Sequence, residues 1–240
     1  MTEKFTGNVQ RTLKYNDNLM IADIFTASRG RLSFLVPVSR SKSSKARSIL
    51  FQPLSILSFQ SPYKQGKMSR LSDVHPHILY SSIPYDPYKS AIALYLAEFL
   101  TRALHEESDS SSVFDFLEYS LQWLDCAKEG YADFHIQFLM HLTRFLGIAP
   151  NLEGMTRGYC FDMMAGCFSG TRPLHGNYLT AEQATELFAL PACNYGESVA
   201  LGLNRSKRKE LLEIVERYFR LHIPDFPQLK SSEVLKELFD

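Results

Sequence analysis

The spacing of apolar residues changes once along this chain, at Asp86, and that change constrains the fold more than any other feature. Before it, apolar and polar residues alternate with the period of two that puts successive side chains on opposite faces of a strand. After it, apolar residues recur every three or four positions, the spacing of a helix with one buried face. The pattern predicts an α+β protein of two domains, a strand-built one over residues 1–80 and a mainly helical one over 81–240, with an irregular insert near 148–180. Charge divides at nearly the same place. Residues 1–80 carry 12 Lys+Arg against 4 Asp+Glu, a net of +8, and residues 81–240 carry 14 against 22, a net of −8. The whole-chain balance of zero conceals a basic domain followed by an acidic one. A compact basic domain most often faces a polyanion, and nucleic acid is the commonest.

Strands are predicted over 5–15, 19–26, 32–38, 49–59 and 67–74. Asn16-Asp17-Asn18 separates the first two, and Gly30 supplies a tight turn before the third. Five short strands in so few residues predict a small closed barrel, since an isolated hairpin is marginal in water. Residues 39–48 read SRSKSSKARS, with four cations and no aliphatic anchor. Such a run suits phosphate contacts along a flexible strand, and it equally suits a solvated loop.

Beyond Asp86, which with Pro87 forms a good helix start, helices are predicted over 86–104, 113–128, 133–146, 180–190, 204–222 and 231–239. Thr180 and Gln183 read as a capping box and Asn204 as a cap. The longest strictly apolar run, residues 91–97, is far short of the ~20 residues a membrane span needs. With no apolar signal-peptide core at the N-terminus, the chain is expected to be cytoplasmic.

Other constellations are weaker. Cys126, Cys160, Cys167 and Cys193 are too scattered for a disulfide framework. Cys160 and Cys167 with His175 offer an incomplete zinc set, without the tight cysteine pairs such sites use. Cys160, His175 and Asp162 supply the residue types of a nucleophile, base and orienter, but a buried cysteine acting as a small hydrophobe is the far commoner arrangement. His75 and His77 flank a proline at the domain junction and read as a turn. The basic run 205–209 opens the long final helix, where positive charge opposes the helix dipole; it reads as a phosphate contact or a solvated end. There is no phosphate-cradling GxxxxGK[ST] loop, so nucleotide hydrolysis has no support. Aromatic residues at helical spacing in the acidic part read mainly as core.

Several segments, in order and over nearly the whole chain, resemble the DNA repair and recombination mediator family RecO. Leu19 through Thr26, followed by Gly30, resembles that family's "FT…G" strand and turn. Gln52-Pro53-Leu54 resembles its "QPF" segment, and Phe145 through Leu152 the end of its central helix. Phe161-Asp162-Met163 through Gly166 and Phe168 resembles its FD-x₃-GGF stretch. Arg220-Leu221-His222 with Leu229-Lys230-Ser231 resembles its C-terminal ending. The form is closest to the Bacteroidetes-like branch.

The resemblance implies an N-terminal oligonucleotide-binding (OB) barrel and then a helical domain. It implies a nucleoid-associated protein, not an enzyme, that binds single- and double-stranded DNA and anneals complementary strands. Acting with RecR, such a protein helps load RecA onto strands coated by single-stranded DNA-binding protein (SSB), whose acidic C-terminal tail it docks. Many family members carry a four-cysteine zinc site around the FD…GGF stretch. This chain departs from them, with no CxxC over 151–159 and no pair after Phe168, so neither metal nor cofactor is expected. Arg11, Lys14, Arg29, Arg31, Arg40, Lys42, Lys45 and Arg47 are assigned to DNA. Phe138, Leu142 and Arg144 are a candidate patch for the SSB tail, with core packing as the competing reading. A cysteine- or metal-dependent hydrolase centred on Cys160, Asp162 and His175, and a protein adaptor without DNA binding, are the alternatives.

Overall fold

The computed structural model describes residues 2–38, 49–64, 66–104, 110–155 and 158–238. Within them, the alternating N-terminal segment forms β1 (Glu3–Lys14), β2 (Leu19–Thr26), β3 (Gly30–Pro37), β4 (Ile56–Ser61), β5 (Ser69–Arg70) and β6 (Ser72–Pro76). These make one sheet in the order β5-β3-β2-β1-β4-β6. All neighbours are antiparallel except β3 and β5. β5 and β6 end the order at opposite edges, yet only Leu71 separates them in sequence, and its N–H donates to Leu35 O. One run of chain therefore reaches both edges, and the sheet curls into a six-stranded half-barrel. This is the OB-type architecture that the resemblance implies, where the strand pattern alone predicts a small closed barrel. The five expected strands appear as six because the closing strand changes partner, from β3 to β4, at Leu71.

The curl is built into β1. Its first half pairs with β4 from Glu3↔Ser61 to Asn8↔Ile56, and its second with β2 from Gly7↔Thr26 to Lys14↔Met20. The two pairings overlap at Gly7 and Asn8. A Cβ at Gly7 would run into Ile24 Cγ2 and lie 3.1 Å from Phe25 O, so the close approach demands glycine. A β-bulge follows, between Val9 and Arg11, and sharpens the bend. Alternation then fills the interior. Phe5 and Val9 point inward with Ala22, Ile24, Phe34, Val36, Leu57 and Phe59. Phe5 stacks on Phe59 at 5.5 Å, and Phe34 meets Phe59 edge-on at 5.1 Å.

The helices among the described residues are α1 (Pro87–Ala103), α2 (Ser110–Cys126), α3 (Phe134–Phe145), α4 (Ala181–Ala189), α5 (Arg205–His222) and α6 (Lys230–Leu238). The described residues divide into two compact units, one over Met1–Cys126 with Leu229–Leu238 and the other over Ala127–Gln228. In the first unit α1 starts as its sequence predicts, with Asp86 Oδ1 accepting from the N–H groups of Tyr88 and Lys89. Asp125, at the end of α2, accepts from the backbone N–H groups of Ser81, Ser82 and Ile83 at 2.7–2.9 Å and fixes the segment leading into α1. Burial alone would raise the Asp125 carboxyl, but those donors outweigh it and hold it below the usual range. Lys89, 2% exposed, donates to Ser82 Oγ and to Asp125 O. At the start of α6, Glu98 of α1 accepts from the N–H groups of Lys230 and Ser231 and from Ser231 Oγ.

In the second unit α3 is anchored by Gln137, whose Nε2 donates to Leu190 O and Cys193 O, and α5 by an ion pair from Arg208 to buried Asp133 at 2.6 Å. Asn204 caps α5 by accepting from Lys207 N–H, and Thr180 and Gln183 form the expected capping box on α4. The predicted irregular insert holds a small sheet of β7 (Cys160–Asp162), β8 (Cys167–Ser169) and β9 (Tyr178–Leu179), in the order β8-β7-β9. Phe161 seats it, packing on Phe168, Phe188 and Tyr218 with ring centres 4.9–6.3 Å away.

Candidate nucleic-acid interface

In OB-type barrels oligonucleotides lie across the second and third strands and the loops that follow the first and fourth. Here those loops are residues 15–18 and 62–68. Tyr15 is 62% exposed, and Met68 48%. The second loop is basic. Lys67 N–H donates to Lys64 O across a turn in which Gly66 supplies the positive φ of 72°, so two lysines flank one tight turn. Arg70 follows in β5. Lys64, Lys67 and Arg70, together with Lys4 on β1, form no ion pair with any described residue. None of these four is among the residues that the sequence assigns to DNA.

The assigned residues are placed differently from one another. Arg11 reaches Asp23 Oδ2 with Nε at 2.9 Å and Nη2 at 2.7 Å, and Asp23 also accepts from Ser33 Oγ at 2.6 Å. The Asp23 side chain is 8% exposed, so the Arg11 guanidinium neutralises a nearly buried carboxylate. Arg31 Nη1 donates to Thr101 O near the end of α1, a carbonyl at the negative pole of that helix. Arg29 pairs with Glu3 at 3.1 Å while its guanidinium lies 4.4 Å over the Tyr63 ring. Lys14 pairs with Asp17 at 2.9 Å, both side chains at least 75% exposed, a contact of little energetic weight that phosphate can displace. Lys14, Arg29 and Arg11 all keep exposed side chains, but Arg11 is tied to Asp23 across β1 and β2, and Arg31 joins the barrel to α1. Arg40, Lys42, Lys45 and Arg47 lie outside the described residues.

Phe138 and Leu142 are each 0% exposed, so of the candidate tail-binding patch only Arg144 is on the surface. Both side chains lie on the inner side of α3, the core placement that helical spacing also predicted. Around the FD stretch, Asp162 Oδ1 accepts from the N–H groups of Met164 and Ala165, and its Oδ2 lies 3.3 Å from His175 Nε2. That carboxylate therefore builds the β7–β8 turn. Gly166 closes it with φ +67°, and a Cβ there would sit 3.3 Å from the Tyr218 hydroxyl. Cys160 Sγ is turned to Ser169 O and Thr171 O at 3.5 and 3.4 Å, so the residues of the hydrolase reading serve a hairpin. Among the described residues no cluster of three or more His, Cys, Asp or Glu side chains is placed to hold a metal ion. In the basic run that opens α5, Lys207 pairs with Glu186 and Glu210, which hold its ammonium above the usual lysine range, and Arg208 pairs with Asp133. His77, at the junction, pairs with Glu118 of α2 at 3.2 Å.

Two family models match the chain, "Recombination protein O N terminal" over residues 1–79 and "Recombination protein O C terminal" over residues 84–233. A protein named DNA repair protein RecO from Bacteroides fragilis is 46% identical over 242 residues, and one of the same name from Phocaeicola vulgatus is 45% identical over 240; in both comparisons all of each chain is covered. A third, from Flavobacterium psychrophilum, is 34% identical over 242 residues, again over the full length of both. No described helix is long and apolar enough to cross a membrane. The barrel, the order of its motifs and these full-length matches have one conclusion: the chain belongs to the recombination protein O family, mediators of DNA repair and recombination rather than enzymes.

Proposed function

We propose that this chain binds single- and double-stranded DNA through its barrel domain, residues 1–80, promotes annealing of complementary strands and, with RecR, helps load RecA onto SSB-coated single strands. The observation that carries the DNA-binding step is the excess of cations in 1–80, a net of +8, of which the turn at 64–67 and Arg70 remain without carboxylate partners among the described residues. Cations of this kind track phosphates without reading sequence, while Tyr15 and Met68, exposed at the same loops, offer surfaces for unstacked bases. Annealing then needs no catalytic residue. The protein lowers repulsion between two strands, and base pairing supplies the free energy. Docking of the SSB tail would use the surface around Arg144, with RecR recruited separately.

The test is fluorescence anisotropy of a labelled single-stranded oligonucleotide over a range of salt concentrations, for the wild type and a variant neutralised at Arg40, Lys42, Lys45 and Arg47. Each phosphate that is no longer neutralised should flatten the log–log salt slope by about 0.7. A variant whose slope flattens by about 2–3 supports the reading. Absence of binding by the wild type would sink it, and an unchanged slope would remove the 39–48 run from the site.

A further inference from the structure

Within the first unit, β1, α1 and α6 border a cavity of about 510 Å³. Pro53, Leu94, Ala97 and Val234 give it apolar walls, and Leu94 and Val234 are 47% and 51% exposed, so it opens to solvent. Gln10 also lines it, and this residue is the anomaly. It is 3% exposed, yet neither Oε1 nor Nε2 has a hydrogen-bond partner. A buried amide without partners is costly, and native folds avoid it unless something else supplies the bonds. The bulge explains its position. Pairing steps from Val9↔Ile24 to Arg11↔Asp23, leaving Gln10 out of register, and bulges commonly re-aim one side chain.

The rim is cationic. Arg102, in the last turn of α1, and Lys230, at the start of α6, line the cavity and form no ion pair with a described residue. Glu98 is the one carboxylate in the lining, and its oxygens are taken by the Lys230 and Ser231 donors. A carboxamide offers a donor and an acceptor side by side in one plane. Its complement is a planar group with an acceptor and a donor on adjacent atoms, apolar faces for the walls, and an anion within reach of the rim. A nucleobase carrying a phosphate meets all three requirements, and glutamine pairs with base edges in this two-pronged way. The volume lies within the usual range for small-ligand sites.

We propose that this cavity binds a single nucleotide, its base edge on the Gln10 carboxamide and its phosphate on Arg102 and Lys230. The nucleotide is either free or an unstacked unit of a bound single strand; in the second case the inference rests on the DNA-binding reading above and adds a base-receiving site to it.

The full chain would be titrated by calorimetry with each of the four deoxynucleoside 5′-monophosphates and with deoxyribose 5-phosphate. In parallel, an oligonucleotide carrying 2-aminopurine would be followed by fluorescence. Mononucleotides should bind and the base-free sugar phosphate should not. Gln10→Met keeps the length and removes the amide, so it should weaken nucleotide binding about tenfold. It should leave Tm unchanged or raised, because an unpartnered buried group is gone. Arg102→Ala, at an exposed position, should weaken nucleotides but not the corresponding nucleosides, and it tests the site should Gln10→Met fail to fold. Equal binding of sugar phosphate and nucleotides, no binding of any mononucleotide, or a Gln10→Met variant that loses stability and keeps its affinity would each overturn the proposal. A rise in 2-aminopurine fluorescence on binding that disappears in Gln10→Met identifies the strand as the source, since the base leaves its stacked neighbours for aliphatic walls; mononucleotide binding without it identifies the free nucleotide. Loss of all oligonucleotide binding with mononucleotide binding intact would remove the DNA-binding reading and leave this site standing.

Discussion

His135 shows how burial converts a titratable side chain into a pH-dependent stability term. It lies in the first turn of α3, 3% exposed, and burial first, then the charge of Arg208, pushes its pKa down to about 3. An unfolded histidine takes up its proton near pH 6.5. Between those values the unfolded state binds more protons than the folded one, so stability rises with pH through this window. The contribution is complete above pH 6.5 and is lost as pH falls below it, by up to about 1.4 kcal/mol per unit for one such group. Glu98 and Asp125 are shifted downward as well, because their hydrogen-bond donors outweigh the burial that would raise them, and they act at lower pH, where their stabilisation is lost as they protonate. Urea unfolding at pH 7.5, 6.0 and 5.0 should therefore show a steady loss for the wild type and a shallower one for His135→Leu. Some slope should remain, because burial lowers His141 as well. Parallel slopes in the two proteins would refute the assignment.

At the scale of elements, α6 has nine residues, too few to hold a helix in water alone, so its neighbours must hold it in place. Two attachments are evident: the Glu98 carboxylate on its first turn, and Leu235, 1% exposed, on its buried side. Glu98 occupies the positive pole of α6 and satisfies two N–H groups that a helix start otherwise leaves open. Glu98→Ala should cost about 1–3 kcal/mol. The effect should be local: hydrogen exchange should accelerate over 229–238 while barrel amides keep their protection. Uniform acceleration would show that α6 is integral to the global fold instead. This link also marks where sequence reading stops. Asp86, Thr180 and Asn204 announced their helices because a cap acts on neighbours two or three residues away. Glu98 and Ser231 are 133 positions apart, and no local pattern encodes their meeting. The strands β7 to β9 escaped for another reason, being two or three residues long, too short for a period of two to show. Phe138 and Leu142 were legible as core from their spacing and were unreadable as a surface patch for the same reason. Arg31 could be counted as a cation, but its use on Thr101 O, 70 positions away, could not be read.

For the whole molecule, charge placement bounds DNA binding more tightly than charge number does. With zero net charge the chain exerts no long-range attraction on a polyanion as a whole, so local patches must supply the binding. Of the 12 cations in residues 1–80, Arg11, Lys14 and Arg29 are matched by Asp23, Asp17 and Glu3. Arg31 is occupied by a helix carbonyl. Lys4, Lys64, Lys67 and Arg70 remain, with Arg40, Lys42, Lys45 and Arg47 outside the described residues. Eight phosphates at about 0.7 each cap the single-strand salt slope near −6, and the exposed Lys14 and Arg29 pairs add to it only if phosphate displaces their partners. Neutralising Lys64, Lys67 and Arg70 together should then flatten the slope by about 2 and leave Tm within a degree or two of wild type, since none of the three holds a carboxylate. Replacing Arg11 by glutamine should do the reverse: the nearly buried Asp23 loses its counter-charge, so Tm falls while the slope holds. Both variants are read in the same pair of measurements, anisotropy against salt and thermal unfolding. Were the Arg11 variant to flatten the slope and the triple variant to leave it unchanged, DNA would be bound on the α1 side of the barrel, and the turn at 64–67 would have no part in it.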